Sequence, residues 1–214
     1  MINIHPSILC ADHGNLEQEI KDLDNAGVDY FHVDVMDGIF VPNFACGAEI
    51  FKTIKKHSST PIDTHLMITE PVRYIEFFAK LGSDIITIHP EADRQAADTL
   101  TAIKRLGLVP GLALNPKTTV EDVKQILPFC EHVLIMTVNP GFYGQAFIEE
   151  TLAKISVFGK LRETYGFDLC VDGGINAKRI LELEKLGVNR FVLGQALFKQ
   201  KPYTHIREVL YEET

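Results

Sequence analysis

Five times along this chain a helix-like stretch ends at a glycine and gives way at once to a short apolar run. The segments are Ala26-Gly27-Val28-Asp29, Leu81-Gly82-Ser83-Asp84, Leu106-Gly107-Leu108, Tyr165-Gly166-Phe167-Asp168 and Leu186-Gly187-Val188-Asn189. Glycine is favoured just past a helix C-terminus because it enters the left-handed conformation cheaply. Successive glycines lie 55, 25, 59 and 21 residues apart, near one or two lengths of a strand–helix module. The stretches before and between them carry helical spacing, with Leu16, Ile20 and Leu23 in one and Ile148, Leu152 and Ile155 in another. Strands are expected near residues 3–9, 30–36, 61–67, 84–89, 108–114, 132–138, 168–172 and 190–194. Eight βα units in unbroken succession predict an α/β fold, a closed (β/α)8 or TIM barrel. The rival is an open doubly wound sheet, but no G-x-G-x-x-G follows the first strand. A chain of 214 residues suits one large core, so residues 1–214 are expected to form a single barrel domain.

Side chains alternate along a strand. In Phe31-His32-Val33-Asp34-Val35-Met36-Asp37-Gly38, His32, Asp34 and Met36 therefore share one face. The opposite face, Phe31, Val33 and Val35, is apolar and must be covered. An imidazole and a carboxylate two residues apart on a strand can reach one metal ion. Ile62-Asp63-Thr64-His65-Leu66-Met67 places His65 and Met67 together in the same way, and Leu169-Cys170-Val171-Asp172-Gly173-Gly174 ends on an acid before two glycines. All four polar groups fall near the C-terminal ends of their strands, where parallel α/β folds keep their chemistry. Alone, each is an ordinary satisfied residue. As a set they cost several kcal/mol inside a barrel unless paired or coordinated. Two histidines and two aspartates without thiolate suit Zn²⁺, Fe²⁺ or Mn²⁺.

Three glycine-bearing loops follow the last three strands: Val138-Asn139-Pro140-Gly141-Phe142-Tyr143-Gly144-Gln145, Asp172-Gly173-Gly174 and Gly194-Gln195-Ala196-Leu197-Phe198. Tight turns would explain any one of them, whereas three in adjacent loops suggest a phosphate cradle of backbone N–H groups. Met36, Met67 and Met136 fall at strand ends, either as core fillers or as an apolar rim that excludes water from a reactive intermediate. His89, in His89-Pro90-Glu91, points either at the site or into a polar loop. Asn115-Pro116 reads as a strand stop. His5, His13, His57, His132 and His205 show no partner pattern and are assigned no role.

Composition narrows the partners. Lys and Arg number 21 against 29 Asp and Glu, a net charge of −8, with no basic cluster longer than Lys55-Lys56; nucleic acid is not an expected partner. No apolar run approaches the ~20 residues that span a bilayer. The N-terminus carries no secretion pattern. Cys10, Cys46, Cys130 and Cys170 form no C-x-x-C, which argues against a zinc finger or disulfide framework and suits a cytoplasmic setting.

Taken in order, Ser7-Ile8-Leu9, His32 to Gly38, Val41-Pro42-Asn43, His65-Leu66-Met67, Gly111-Leu112-Ala113-Leu114-Asn115-Pro116, Met136-Thr137-Val138-Asn139-Pro140-Gly141-Phe142 and Val171-Asp172-Gly173-Gly174-Ile175 resemble the ribulose-phosphate 3-epimerase family. The resemblance runs from the first strand through the eighth. It implies one divalent metal, Zn²⁺ or Fe²⁺ in the first place with Mn²⁺ or Co²⁺ as alternatives, held by His32, Asp34, His65 and Asp172. It implies that Asp34 and Asp172 move a proton on opposite faces of a ketose phosphate through a metal-stabilised enediolate. Ser7, His65, Met36, Met67 and Met136 would meet substrate, and Gly141, Phe142, Tyr143, Gly144, Gly173, Gly174, Gly194 and Gln195 would surround the phosphate. The substrate implied is D-ribulose 5-phosphate, with a homo-oligomer left open. Two positions depart from the family pattern: Tyr143 stands where a glycine is usual and Gln195 where a serine is usual. They keep D-allulose 6-phosphate open as an alternative substrate. A metal-free phosphosugar isomerase or decarboxylase and a non-catalytic phosphosugar-binding barrel are the other readings.

Overall fold

The computed structural model describes residues 2–45 and 47–203; Cys46 and His205 lie outside them. The chain opens on β1 (Asn3–Pro6), α1 (Leu16–Asn25) and β2 (Phe31–Asp37). A two-residue β3 (Phe44–Ala45) then doubles back antiparallel on β2, placing Ala45 opposite Met36 and Phe44 opposite Asp37. From there strand and helix alternate: α2 (Ala48–His57), β4 (Ile62–Met67), α3 (Ile75–Lys80), β5 (Ile85–Ile88), α4 (Ala96–Arg105), β6 (Val109–Leu114), α5 (Val120–Val123), β7 (His132–Met136), α6 (Thr151–Tyr165), β8 (Asp168–Asp172), α7 (Ala177–Glu184), β9 (Arg190–Leu193) and α8 (Gln195–Phe198).

The sheet order is β1-β9-β8-β7-β6-β5-β4-β2-β3, with every pairing parallel except β2 with β3. The ring closes between β1 and β2. There Ser7 forms an isolated parallel bridge with His32, and the Asp29 N–H donates to the Ile4 carbonyl at 3.1 Å. This is the (β/α)8 barrel expected from the glycine-punctuated repeat. The five repeat glycines, Gly27, Gly82, Gly107, Gly166 and Gly187, all have φ between 74° and 94°, as helix-ending glycines should.

Two details differ from the expected strands. The first strand stops at Pro6, because residues 8–10 turn into a single 3-10 turn held by Cys10 N–H to Ser7 carbonyl and Ala11 N–H to Ile8 carbonyl. The short β3 has no hydrophobic period of its own and exists only through its pairing with the end of β2.

Parallel partners share a face, so register sorts the side chains. Phe31, Val33 and Val35 point outward and pack with Ile20, Leu23, Phe51 and Ile54 of α1 and α2 in the layer between sheet and helices. The inward side holds a small apolar cluster of Ala113, Leu134, Met136, Val138, Cys170 and Val192. Deeper inside lie His5, His32, Asp63 and His132, all 0% exposed, with Arg190 at 7%. No helix of the described residues is long and apolar enough to cross a membrane.

Candidate active site and metal centre

Register brings the polar groups together. Asp34 on β2 is the direct partner of His65 on β4, Met36 of Met67, and Asp172 on β8 of Met136 on β7. One ligand atom each from His32, Asp34, His65 and Asp172 lies within 4.8 Å of the others. Asp34 Oδ1 is 3.2 Å from His32 Nε2 and 3.0 Å from His65 Nδ1, while Ser7 Oγ donates to Asp34 Oδ2 at 2.9 Å.

The far nitrogens of both rings are also engaged. His32 Nδ1 donates to Asp63 Oδ2 at 2.9 Å. His5 Nδ1 reaches the same oxygen at 2.9 Å. His65 Nε2 is 2.8 Å from His89 Nε2, and Glu91 Oε2 lies 3.5 Å from His89 Nδ1. His89 thus points at the site, fully buried, rather than into a polar loop.

These contacts polarise the two acids in opposite directions. Burial alone would raise the Asp34 carboxyl, but the charge and hydrogen bonds of His32 and His65 hold it well below the usual carboxylate range. Burial, and then the negative charge of Asp34, push the Asp172 carboxyl up to about 7. Burial would lower His32, yet the flanking Asp34 and Asp63 carboxylates raise it well above the ordinary histidine value. His89 is lowered by burial to about 4.

The donor set fits a divalent cation. Two imidazoles and two carboxylates converge, each imidazole is anchored through its other nitrogen as metal-binding histidines usually are, and two close acids repel unless positive charge separates them. The Cys10 thiol borders the same cavity, pushed up to about 12 by burial, and it is not among the four converging donors. The remaining set is one of nitrogen and oxygen donors.

Asp34 and Asp172 open into a cavity of about 310 Å³. His32 and His65 lie beneath it, 0% exposed. Ser7, Met36, Met67 and Met136 border this space, as do Gly141, Phe142, Tyr143, Gly144, Gly173, Gly174, Gly194 and Gln195. The methionines pack as apolar fillers and also border the cavity. Met36 and Met67 pack with Val41, Met136 joins the inner apolar cluster, and all three wall the cavity. Gly173 and Gly174 have φ of 115° and 65°, and a Cβ would meet Val138 Cγ2 at 2.5 Å in the first and the Phe147 backbone nitrogen at 2.7 Å in the second. The turn itself therefore requires glycine, and it leaves bare backbone beside the cavity. Tyr143 is 58% exposed. The Gln195 amide lies close against Gly144, 3.3 Å from where a Cβ would stand, linking the loops after β7 and β9.

Asp63 and His5 are the polar neighbours to which the sequence alone assigned no role. Asp63 stands two residues before His65 and His5 two before Ser7, so the same alternation rule places them on the inward face.

Comparison with known proteins points to one family. The family model for the ribulose-phosphate 3 epimerase family matches residues 3–198. A ribulose-phosphate 3-epimerase of Synechocystis sp. is 44% identical over 206 residues, covering 94% of this chain and 90% of the relative. The enzymes of that name from Bacillus subtilis and Escherichia coli are 43% and 38% identical, and the alignments cover 94% and 98% of this chain and 94% and 95% of theirs. Among solved structures, KGPDC from Streptococcus mutans superposes with a TM-score of 0.74 at 18% identity, covering 99% of this chain and 96% of its own. A tryptophan synthase alpha-subunit from Pyrococcus furiosus superposes at 0.69 and 17%, with the same coverage. At that identity the likeness speaks for the barrel alone.

Proposed function

Since the chain belongs to the ribulose-phosphate 3-epimerase family, we propose that it inverts C3 of a ketose phosphate, converting D-ribulose 5-phosphate to D-xylulose 5-phosphate. The observation that carries this reading is the pair of acids, Asp34 and Asp172, brought from separate strands to one cavity beside two imidazoles. An ionised carboxylate beside a protonated one is what removal of a proton from one face and delivery to the other requires.

Asp34, steadied by the Ser7 hydroxyl, takes the C3 proton. Asp172 delivers its proton to the opposite face, and the roles exchange in the reverse direction. Loss of the C3 proton moves one negative charge onto the C2 carbonyl oxygen; His32, Asp34, His65 and Asp172 would hold a divalent cation, which would supply Lewis-acid stabilisation there. The methionine wall keeps water from quenching that charge. Backbone N–H groups of the loops at Gly141–Gly144, Gly173–Gly174 and Gly194 receive the phosphate. The working unit is a single barrel, and a cytoplasmic setting goes with the free thiols of Cys10, Cys130 and Cys170.

The test is kcat/KM of metal-loaded protein on D-ribulose 5-phosphate and D-allulose 6-phosphate in deuterated water, with deuterium at C3 followed by NMR. Preferred turnover of the five-carbon sugar with C3 deuteration is expected. Preference for the six-carbon sugar would reassign the substrate through Tyr143 and Gln195. Binding of either sugar without C3 exchange would overturn the reading as an epimerase.

A further inference from the structure

We propose that Asp63 is a positioning residue that sets the tautomer of His32, turning the bare Nε2 of that ring toward the cation site. The proposal rests on the reading of His32, Asp34, His65 and Asp172 as metal ligands.

Asp63 is the direct register partner of His32, and its side chain is 0% exposed. An ionised carboxylate can only accept hydrogen bonds, so a ring nitrogen 2.9 Å from Asp63 Oδ2 carries the proton. A neutral imidazole has one N–H. A cation that replaces the Nε2–Asp34 hydrogen bond needs the ring neutral; Asp63 then keeps the one N–H at Nδ1 and leaves the Nε2 lone pair to the cation. A proton on Nε2 instead would block coordination by that nitrogen. His5, reaching across from β1, gives Asp63 Oδ2 a second donor at 2.9 Å, so the carboxylate is gripped from two strands and cannot rotate away. His5 itself is held by stacking on Tyr30, with ring centroids 4.5 Å apart.

His5, His32 and Asp63 also converge closely enough to hold a cation of their own. That would require both Nδ1 atoms to be bare where each stands at hydrogen-bond distance from one oxygen, in a fully buried group. The contacts are those of a carboxylate receiving two N–H donors.

The experiment uses the nearly isosteric Asp63→Asn variant, with Zn²⁺ affinity of the folded protein read by chelator competition and stoichiometry by elemental analysis. Loss of the charged acceptor should weaken Zn²⁺ binding about 10- to 100-fold, the usual effect of removing a ligand's hydrogen-bond partner. A merely structural Asp63 would lower thermal stability and leave the affinity of folded molecules unchanged. A second measurement needs no mutant: wild-type protein with ¹⁵N-labelled histidine and bound Zn²⁺ should show His32 protonated at Nδ1 and bare at Nε2. Unchanged Zn²⁺ affinity in folded Asp63→Asn, His32 protonated at Nε2, or a second Zn²⁺ per chain lost with Asp63 would each overturn the proposal. Wild-type protein that takes up no Zn²⁺ would overturn the metal reading beneath it, an outcome distinct from wild-type binding matched by the variant.

Discussion

Asp37, the last residue of β2, makes a quantitative test of how the cavity wall is held. Its Oδ1 accepts the N–H groups of Ile39 at 2.8 Å and Phe40 at 2.9 Å. Its Oδ2 accepts Thr69 N–H at 2.8 Å and Thr69 Oγ1 at 2.9 Å. One carboxylate thereby ties the turn after β2 to the turn after β4, and the first of these leads into Val41, which packs on Met36 and Met67. Asp37→Asn keeps the shape, but it removes the charge and turns one acceptor oxygen into a donor facing donors. Buried bonds to a charged acceptor contribute ~1.5–3 kcal/mol each. This group is partly exposed, so water competition and screening reduce that to about 0.5–1 kcal/mol. With two bonds lost and two weakened, the variant should lose about 2 kcal/mol at pH 7, by the same discounted scale.

With a urea m-value near ~2 kcal/mol/M, the unfolding midpoint should fall by about 1 M. Although burial opposes it, the Thr69, Ile39 and Phe40 N–H groups lower the Asp37 carboxyl. A pKa depressed in the folded state contributes stability above the unfolded value of ~3.9 that is lost as pH falls through the folded one. Asparagine does not titrate, so the gap between wild type and variant should narrow below about pH 4. Urea titrations followed by circular dichroism at pH 7, 5 and 3 measure it. An unchanged midpoint at pH 7, or a gap that stays constant down to pH 3, would refute the reasoning.

Asp34→Asn and Asp172→Asn should each lower kcat by about 10²–10⁴-fold, the scale of general acid–base catalysis. Metal content must be measured in both, since near-normal turnover in a variant that keeps its metal would contradict the two-acid assignment. Tyr143→Gly, on the loop after β7, should change kcat or the preference between five- and six-carbon sugars, because closing loops often limit turnover. Gln195→Ser should shift KM modestly and leave kcat near wild type. Measuring kcat/KM for both sugars separates the two effects, and unchanged kcat and preference in Tyr143→Gly would make that residue a neutral surface substitution.

The barrel was legible because its punctuation is local: a glycine past five of the helices and a face-by-face alternation along each strand are properties of neighbouring residues. The cluster of His32, Asp34, His65 and Asp172 could be drawn from the same rule once strand ends were located. Depth was harder to read. Asp63 obeys the same alternation as His65, yet only the register of β2 on β4 puts it against His32, and no local signal sets that register. His5 and His132 lie inside for the same reason, their rings 6.5 Å apart. His89 could be placed at the end of β5, but the direction of its ring depends on the packing of Phe40, whose ring lies 4.9 Å away. The pairing of β3 likewise depends on where β2 ends.

The closing seam between β1 and β2 has a consequence for how such a chain comes into being. β1 finds its full ladder of partners on β9, the last strand among the described residues, and meets β2 through Ser7 and, just before β2, through Ile4 with Asp29. The ladder of β1 is therefore complete only when β9 is in place. Ser7 is also the residue whose hydroxyl steadies Asp34. One short stretch, Asn3 to Ser7, thus carries both the ladder that joins the two ends of the sheet and a hydrogen-bond donor to Asp34.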